Sequence, residues 1–227
     1  MVARLKEAYG DDLVSVVLHG SAAHDNSQKQ HLNLNTICIL RRVGVTELRK
    51  GEKVVSWWQK KKQPIPLFQS VEEIRNSHDV FPIEYMDIQQ SHRLLFGEDL
   101  FTPIAVDRKN HRTQLEYELR ASLLRLRQKY LALHPNEKDV VRLMVESIPS
   151  FATMARHALI VAGASGPAKK RDVFDASAAR FALDAAPFQT VLNIRDGTEK
   201  LSGQQVHSLF ASYLEQITKL GEVLDHL

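Results

Sequence analysis

Two asparagines one residue apart, Asn33 and Asn35, follow the pair Gly20-Ser21 after eleven intervening residues. A glycine closing a strand has no side chain, so backbone N–H groups there can approach a triphosphate. Alternate residues of a strand point the same way. Asn33 and Asn35 are therefore expected on one face, with Leu34 on the other. A carboxylate for the same site is sought further on, and Glu84, within Phe81-Pro82-Ile83-Glu84-Tyr85, is the candidate. Asp87 is three residues beyond it, which on a regular strand turns it to the opposite face. Asp25 lies in the loop between the two halves of the motif.

The elements that must carry these residues can be read from the apolar pattern. Val2 to Tyr9 is predicted as a short helix ended by Gly10, and Leu13 to His19 as a buried strand leading into the Gly20-Ser21-Ala22 turn. Leu34 to Leu40 is predicted as a second strand, Val45 to Lys61 as a helix and Pro66 to Gln69 as a third strand. Ser70 followed by Glu73 is a capping box that should open a helix running to Ser77. Phe81 to Met86 is predicted as a fourth strand, and Gln89 to Leu95 as a short helix closed by Gly97. Strands alternating with helices imply a mixed sheet with flanking helices. Beyond residue 108 the texture becomes helical. Leu115, Leu119, Leu123, Leu126 and Tyr130 mark one face of a long helix over Asn110 to Leu133, and further helices are expected over 137–161, 171–184 and 204–224. Four helices with short connections suggest an antiparallel bundle. The expected fold class is thus α+β: a sheet domain over residues 1–108, then a helical bundle over 109–227.

The stretch Leu18-His19-Gly20-Ser21, eleven residues, then Asn33-Leu34-Asn35-Thr36 resembles the signature of the nucleotidyltransferase superfamily, which includes DNA polymerase β, kanamycin nucleotidyltransferase and the minimal nucleotidyltransferases. Leu94-Leu95-Phe96-Gly97-Glu98-Asp99-Leu100 is also similar to a stretch common in small bacterial members. The resemblance covers residues 1–108 by motif and the rest by helical character. It implies a nucleoside triphosphate held at Gly20 and Ser21, and Mg²⁺ held by three acids, the third matching Glu84. Here the first two acids are Asn33 and Asn35. Two negative charges are missing from a site that must hold two dications, and Mg²⁺ prefers anionic oxygen. The expectation is a catalytically impaired, nucleotide- or partner-binding pseudo-enzyme. Its binding residues would be Gly20, Ser21, Asn33 and Asn35, with Glu84 the one catalytic candidate and no residue assigned as a metal ligand. The alternatives are an active metal-dependent enzyme modifying a small hydroxylated acceptor of the aminoglycoside type, and a structural or regulatory protein that binds no nucleotide.

Composition narrows the partners. Of 227 residues, 30 are Lys or Arg and 27 Asp or Glu, interleaved along the chain, which gives no argument for nucleic acid. A small-molecule ligand, a protein partner or a homodimer stays open. No apolar run approaches the length of a membrane helix. The single cysteine, Cys38, sits in an apolar run and reads as a core thiol, which together with the charged N-terminus suggests a cytoplasmic protein. Other groups have plainer readings. His19, His24 and His31 match no zinc spacing. Arg127 and His134, loosely like the pair of the helical HEPN ribonucleases, fit a helix end. Trp57 and Trp58 before Lys60-Lys61-Lys62 fit packing and helix-dipole complementation, and Lys169-Lys170-Arg171 fits a helix start.

Overall fold

The strand Leu13–His19 (β1) lies at the centre of the first half of the molecule. In the computed structural model, residues 1–24 and 33–227 are described, the side chains of Ser21 and His24 excepted. β1 pairs antiparallel with Asn35–Leu40 (β2) on one side and with His92–Gly97 (β4) on the other, and Leu67–Ser70 (β3) runs parallel to β2, giving the order β3-β2-β1-β4. Because side chains alternate across a strand, β1 and β2 feed two separate cores. Val16, Cys38 and Leu40 pack with Leu5 and Tyr9 of the helix Val2–Tyr9 (α1) and Val54. Val17, Ile37 and Ile39 pack on the other face with Ile74, Tyr85, Ile88 and Phe101. Both faces are covered, which is why β1 and β2 read as continuous apolar runs. Complete burial of a residue such as Val17 or Ile37 is worth about 1.5–3 kcal/mol.

The helices differ from the sequence expectation in instructive ways. After the short helix Ser21–His24 (α2), the region expected as one helix over 45–61 is two, Val45–Lys50 (α3) and Glu52–Lys60 (α4), joined at Gly51. A side chain at Gly51 would stand 2.3 Å from the Tyr9 hydroxyl, so the packing beneath requires glycine at the break. Val71–Asn76 (α5) opens with the expected capping box: the Ser70 hydroxyl accepts from the Glu73 N–H at 3.1 Å and the Glu73 carboxylate accepts from the Ser70 N–H at 2.6 Å.

Two expectations are reversed. Phe81 to Met86 is not a strand but lies at the start of a helix, Pro82–Gln90 (α6), and of the helix expected over Gln89 to Leu95 only Gln89 and Gln90 are helical, as the end of α6, before the chain runs through Ser91 into β4. Alternation of Ile83 and Tyr85 with polar neighbours imitates a strand. Pro82 at the first helical position and Glu84 in the first turn are helix-start features that win. Tyr85 and Ile88, three apart, then bury against the sheet.

The chain divides into two compact units, Met1–Asn110 and His111–Leu227. In the second, Glu137–Val161 (α8) is the spine, buried along its length from Val140 to Leu159 despite Pro149. It carries contacts with Lys170–Phe181 (α9), Ala186–Arg195 (α10) and Gln204–Asp225 (α11); the long helix Arg108–Leu133 (α7) buries Leu115, Leu119 and Leu126. Leu123 and Tyr130 of the expected face are half-buried. α10 was absent from the sequence expectation, so the described residues hold five helices here rather than four. Tyr213, fully buried, reaches the Ser147 hydroxyl at 3.1 Å and sits edge-on to Phe151 and Phe188.

Gly97 ends β4 at φ +80°, and a Cβ there would stand 1.8 Å from the Val14 carbonyl oxygen. Gly197 has a similar φ of +77° but open space. In chemical denaturation Gly97→Ala is expected to cost at least about 3 kcal/mol or prevent folding, against about 1–2 kcal/mol for Gly197→Ala.

Candidate nucleotide site at the end of the central strand

His19 is the last residue of β1, and its cross-strand partners are Asn35 on β2 and His92 on β4. Directly opposed residues of antiparallel strands share a face. Asn35, His19 and His92 therefore form one row across three strands, on the same face as Val17 and Ile37. Gly20 follows at φ +77° and turns the chain into α2. A Cβ on Gly20 would lie 3.6 Å from Nδ2 of Asn35, so the Asn35 amide lies beside the turn.

The turn is fixed from one side by Ser91. The Gly20 N–H donates to the Ser91 carbonyl at 2.9 Å, and the Ser91 hydroxyl donates to the Gly20 carbonyl at 2.8 Å, which also accepts from the Ala23 N–H at 2.9 Å. The Gly20 N–H is thus committed to the protein. Any backbone cradle for an anion is left to the N–H groups of Ser21 and Ala22, which open α2 and have no intrahelical acceptor. The Ser21 side chain, like His24, Asp25 and His31, lies outside what is described.

Asn33 and Glu84 stand differently from expectation. Asn33 precedes β2 and is exposed, so no pleat ties its direction to that of Asn35; the stretch is held by Leu34, whose N–H donates to the Gln63 side chain at 2.9 Å. Glu84 is exposed on the first turn of α6, not on a strand beside Asn35. The change of period also reverses the reading of Asp87. On a strand a three-residue spacing sends two side chains to opposite faces; on a helix it stacks them on one side. Asp87 lies one turn before Ser91, whose N–H donates to the Asp87 carbonyl, and its charge acts on His19. Burial lowers the pKa of His19, and Asp87 opposes that shift.

His92 and its partners were not singled out from sequence. The His92 ring places Nδ1 2.9 Å from the Ile88 carbonyl and Nε2 3.0 Å from an Asp99 oxygen. The two contacts, to a backbone carbonyl and to a carboxylate, fix the orientation of the ring. Burial pushes the Asp99 carboxyl up, but hydrogen bonds from the Thr102 hydroxyl, His92 and the Thr102 and Phe101 N–H groups outweigh it and hold the pKa at about 2. The run Asp99-Leu100-Phe101-Thr102 is itself a turn signal, an aspartate bonding the backbone two and three residues on.

Among the described residues the donor set does not fit a two-metal centre. Asn35 supplies one neutral oxygen, Asn33 is not tied to its face, and Glu84 sits on a helix. Among the described residues no group of three or more His, Cys, Asp or Glu side chains is arranged to hold a metal ion. The other candidates are accounted for locally. Trp57 lies between Arg4 and Lys61, with Trp58 buried behind it. The His134 ring meets the Leu131 carbonyl at a helix end, and Arg127 reaches Thr218 at 3.4 Å. Arg171 joins Gln189 and Asp196. Cys38 is fully buried, and burial pushes its thiol up to about 12. No described helix is long and apolar enough to cross a membrane.

A central strand, a Gly-Ser turn and an antiparallel neighbour opening at the second half of the motif, followed by a helical unit, make up the nucleotidyltransferase fold with a helical C-terminal region. Among solved structures, the chain is similar to spectinomycin adenyltransferase AAD(9) from Enterococcus faecialis, determined with ATP and spectinomycin: TM-score 0.61 over 99% of this chain and 96% of that one, at 10% identity. No family model matches the sequence. No curated protein matches it either.

Asp99→Asn removes charge-assisted hydrogen bonds and should lower stability at pH 7 by about 1.5–3 kcal/mol in urea denaturation. Because the folded pKa is depressed, the carboxylate's contribution is complete above its unfolded value near 4 and is lost as pH falls toward 2. The gap between wild type and variant should narrow over that window.

Proposed function

We propose that this chain is a nucleotidyltransferase-fold protein that binds a nucleoside phosphate at the Gly20 turn without two-metal chemistry, and so serves as a nucleotide- or partner-binding protein rather than an ordinary transferase. The observation that carries this reading is that the Asn35 amide lies beside the Gly20 turn, 3.6 Å from where a Cβ on Gly20 would stand, in a row whose other members are His19 and His92. Where metal-dependent transfer needs anionic oxygens to grip Mg²⁺, this row offers a neutral amide and two imidazoles. The ligand would lie with its phosphates toward the start of α2. Gly20, Ser21 and Asn35 are the proposed contacts, Asn33 lies at the rim, and Glu84 is left without an assigned chemical step. The fold neighbour was solved with ATP and spectinomycin, which supports a nucleotide, or a nucleotide with a small hydroxylated molecule, as the ligand class.

That same neighbour favours a second reading, in which the chain transfers a nucleotidyl group to a small hydroxylated acceptor and Asp87 serves near the turn in place of a strand-borne acid. Two measurements separate them. Isothermal titration with ATP should show binding of similar strength in Mg²⁺ and in EDTA. Incubation with ATP, Mg²⁺ and a panel of aminocyclitol and aminoglycoside acceptors should release no pyrophosphate. Acceptor-dependent pyrophosphate release would establish the second reading instead.

The double variant Asn33→Asp/Asn35→Asp restores the two charges. It is expected to gain Mn²⁺ binding, by at least about tenfold in affinity over the parent, when titrated in the presence of ATP. An unchanged affinity would show that the two positions do not form a metal-binding pair in this chain.

A further inference from the structure

The helical unit carries an outward face that its own core does not use. Tyr117, Leu124 and Leu131 lie seven residues apart on α7 and are 69%, 58% and 72% exposed. Seven residues make nearly two turns, so the three form one stripe that drifts by only about 20° per step. The stripe lies across the helix from the buried Leu119 and Leu126. Around it the helix is cationic: Leu119 to Asn136 holds Arg120, Arg125, Arg127 and Lys129 and no acid. The neighbouring α11 has the opposite balance. Its outward side forms an open groove of about 430 Å³ lined by Ala211, Leu214, Glu215, Thr218, Lys219 and Glu222, two acids to one cation. α7 and α11 run antiparallel, with Arg112 donating to the Leu224 carbonyl at 3.2 Å and Tyr130 3.2 Å from His207. Arg127, between Leu124 and Leu131, reaches Thr218 in the groove at 3.4 Å, so stripe and groove adjoin.

We propose that this face docks a second copy of the chain, about a two-fold axis running along the face between α7 and α11, so that the α7 stripe of each protomer lies in the α11 groove of the other. A cationic apolar ridge beside an acidic apolar groove is complementary to itself after a half-turn, which is what a two-fold interface requires. Direct pairing of α7 with α7 would bury the same leucines but set Arg120 and Arg127 against their own equivalents. The dimensions also suit a dimer. α7 has 26 residues and α11 has 22. At about 1.5 Å per residue and 10 Å per helix, the face covers roughly 700 Å², close to the 800 Å² per partner of a standard interface. An axis parallel to the helices keeps each residue at its own height. Arg127 is level with Thr218, so Leu131, one turn on, is level with Leu214, one turn back, and in the dimer Leu131 faces the partner's Leu214. The proposal does not depend on the nucleotide reading.

The test is sedimentation velocity of the full chain between about 1 and 100 μM, joined to thiol cross-linking. Wild type should sediment as a reversible monomer–dimer mixture. Leu124→Glu should weaken the dimer by at least about a hundredfold with an unchanged melting temperature, because it places a charge in the centre of the buried stripe. Val45→Glu, at an equally exposed apolar residue of the other unit, should leave the dimer as it is. Cys38 is buried, so an introduced surface thiol is the reactive one. Oxidation of an equal mixture of Leu131→Cys and Leu214→Cys chains should give mixed disulfide dimers, and neither variant alone should cross-link comparably. Should Leu124→Glu be unstable, the cross-linking pattern decides. A wild type that stays monomeric throughout, or a dimer indifferent to Leu124→Glu, overturns the proposal. Cross-linking of Leu131→Cys with itself in preference to Leu214→Cys overturns it too.

Discussion

Every side chain at the candidate site is placed by β1, a strand hydrogen-bonded along both edges and buried on both faces. Val16 and Val17 anchor it in two different cores, so slipping the register by one residue would exchange the two apolar sets and expose the polar ends. That constraint fixes the height at which the strand stops. His19 is the last residue still in register, Gly20 turns out of the sheet, and the reciprocal Gly20–Ser91 hydrogen bonds tie the turn to the start of β4. The row Asn35–His19–His92 is a consequence of register, which is set by burial elsewhere in the sheet.

What the row lacks in charge shapes the chemistry open to it. A nucleotidyltransferase fold supplies the strand end and the turn, but transfer relies on metal ions that stabilise charge developing on the α-phosphate and on the leaving pyrophosphate. Neutral amides and imidazoles can bind a phosphate by hydrogen bonding, yet they cannot hold two dications against one another. Binding and catalysis make separable demands on such a fold, because hydrogen bonding to a phosphate does not require the metal ions that transfer requires. The charge of Asp87 acts on His19, and the Asp99 carboxylate meets the His92 ring at 3.0 Å.

Much of this could be read from the chain itself, and the failures have physical causes. The strand ending at His19, the following turn, the second strand and the capping box at Ser70 are local signals, and each appears in the structure. The segment from Phe81 to Gly97 misled because Ile83 and Tyr85 alternate with polar residues over a stretch too short to distinguish two periods. Proline at the first helical position was the better guide. That one exchange of strand for helix took Glu84 off the sheet and put Asp87 one turn further along the same helix, where its charge acts on His19. His92 escaped notice for the same reason: on the expected helix it had no relation to His19, whereas on β4 it is its direct neighbour. The need for glycine at residue 51 comes from the Tyr9 hydroxyl of a distant helix, which no local pattern reveals. α10, ten residues with a proline at its start, is held by Phe188 against Phe174 and Tyr213, again long-range contacts.

Under the proposed reading this site holds nucleotide without metal ions. Electron paramagnetic resonance of Mn²⁺ tests it most directly: Mn²⁺ is titrated into the protein with a non-hydrolysable ATP analogue, and the signal is compared with the analogue alone. The account predicts the same free-Mn²⁺ signal in both, the ion partitioning only with the analogue. Loss of signal equivalent to a pair of protein-held ions per chain would contradict it.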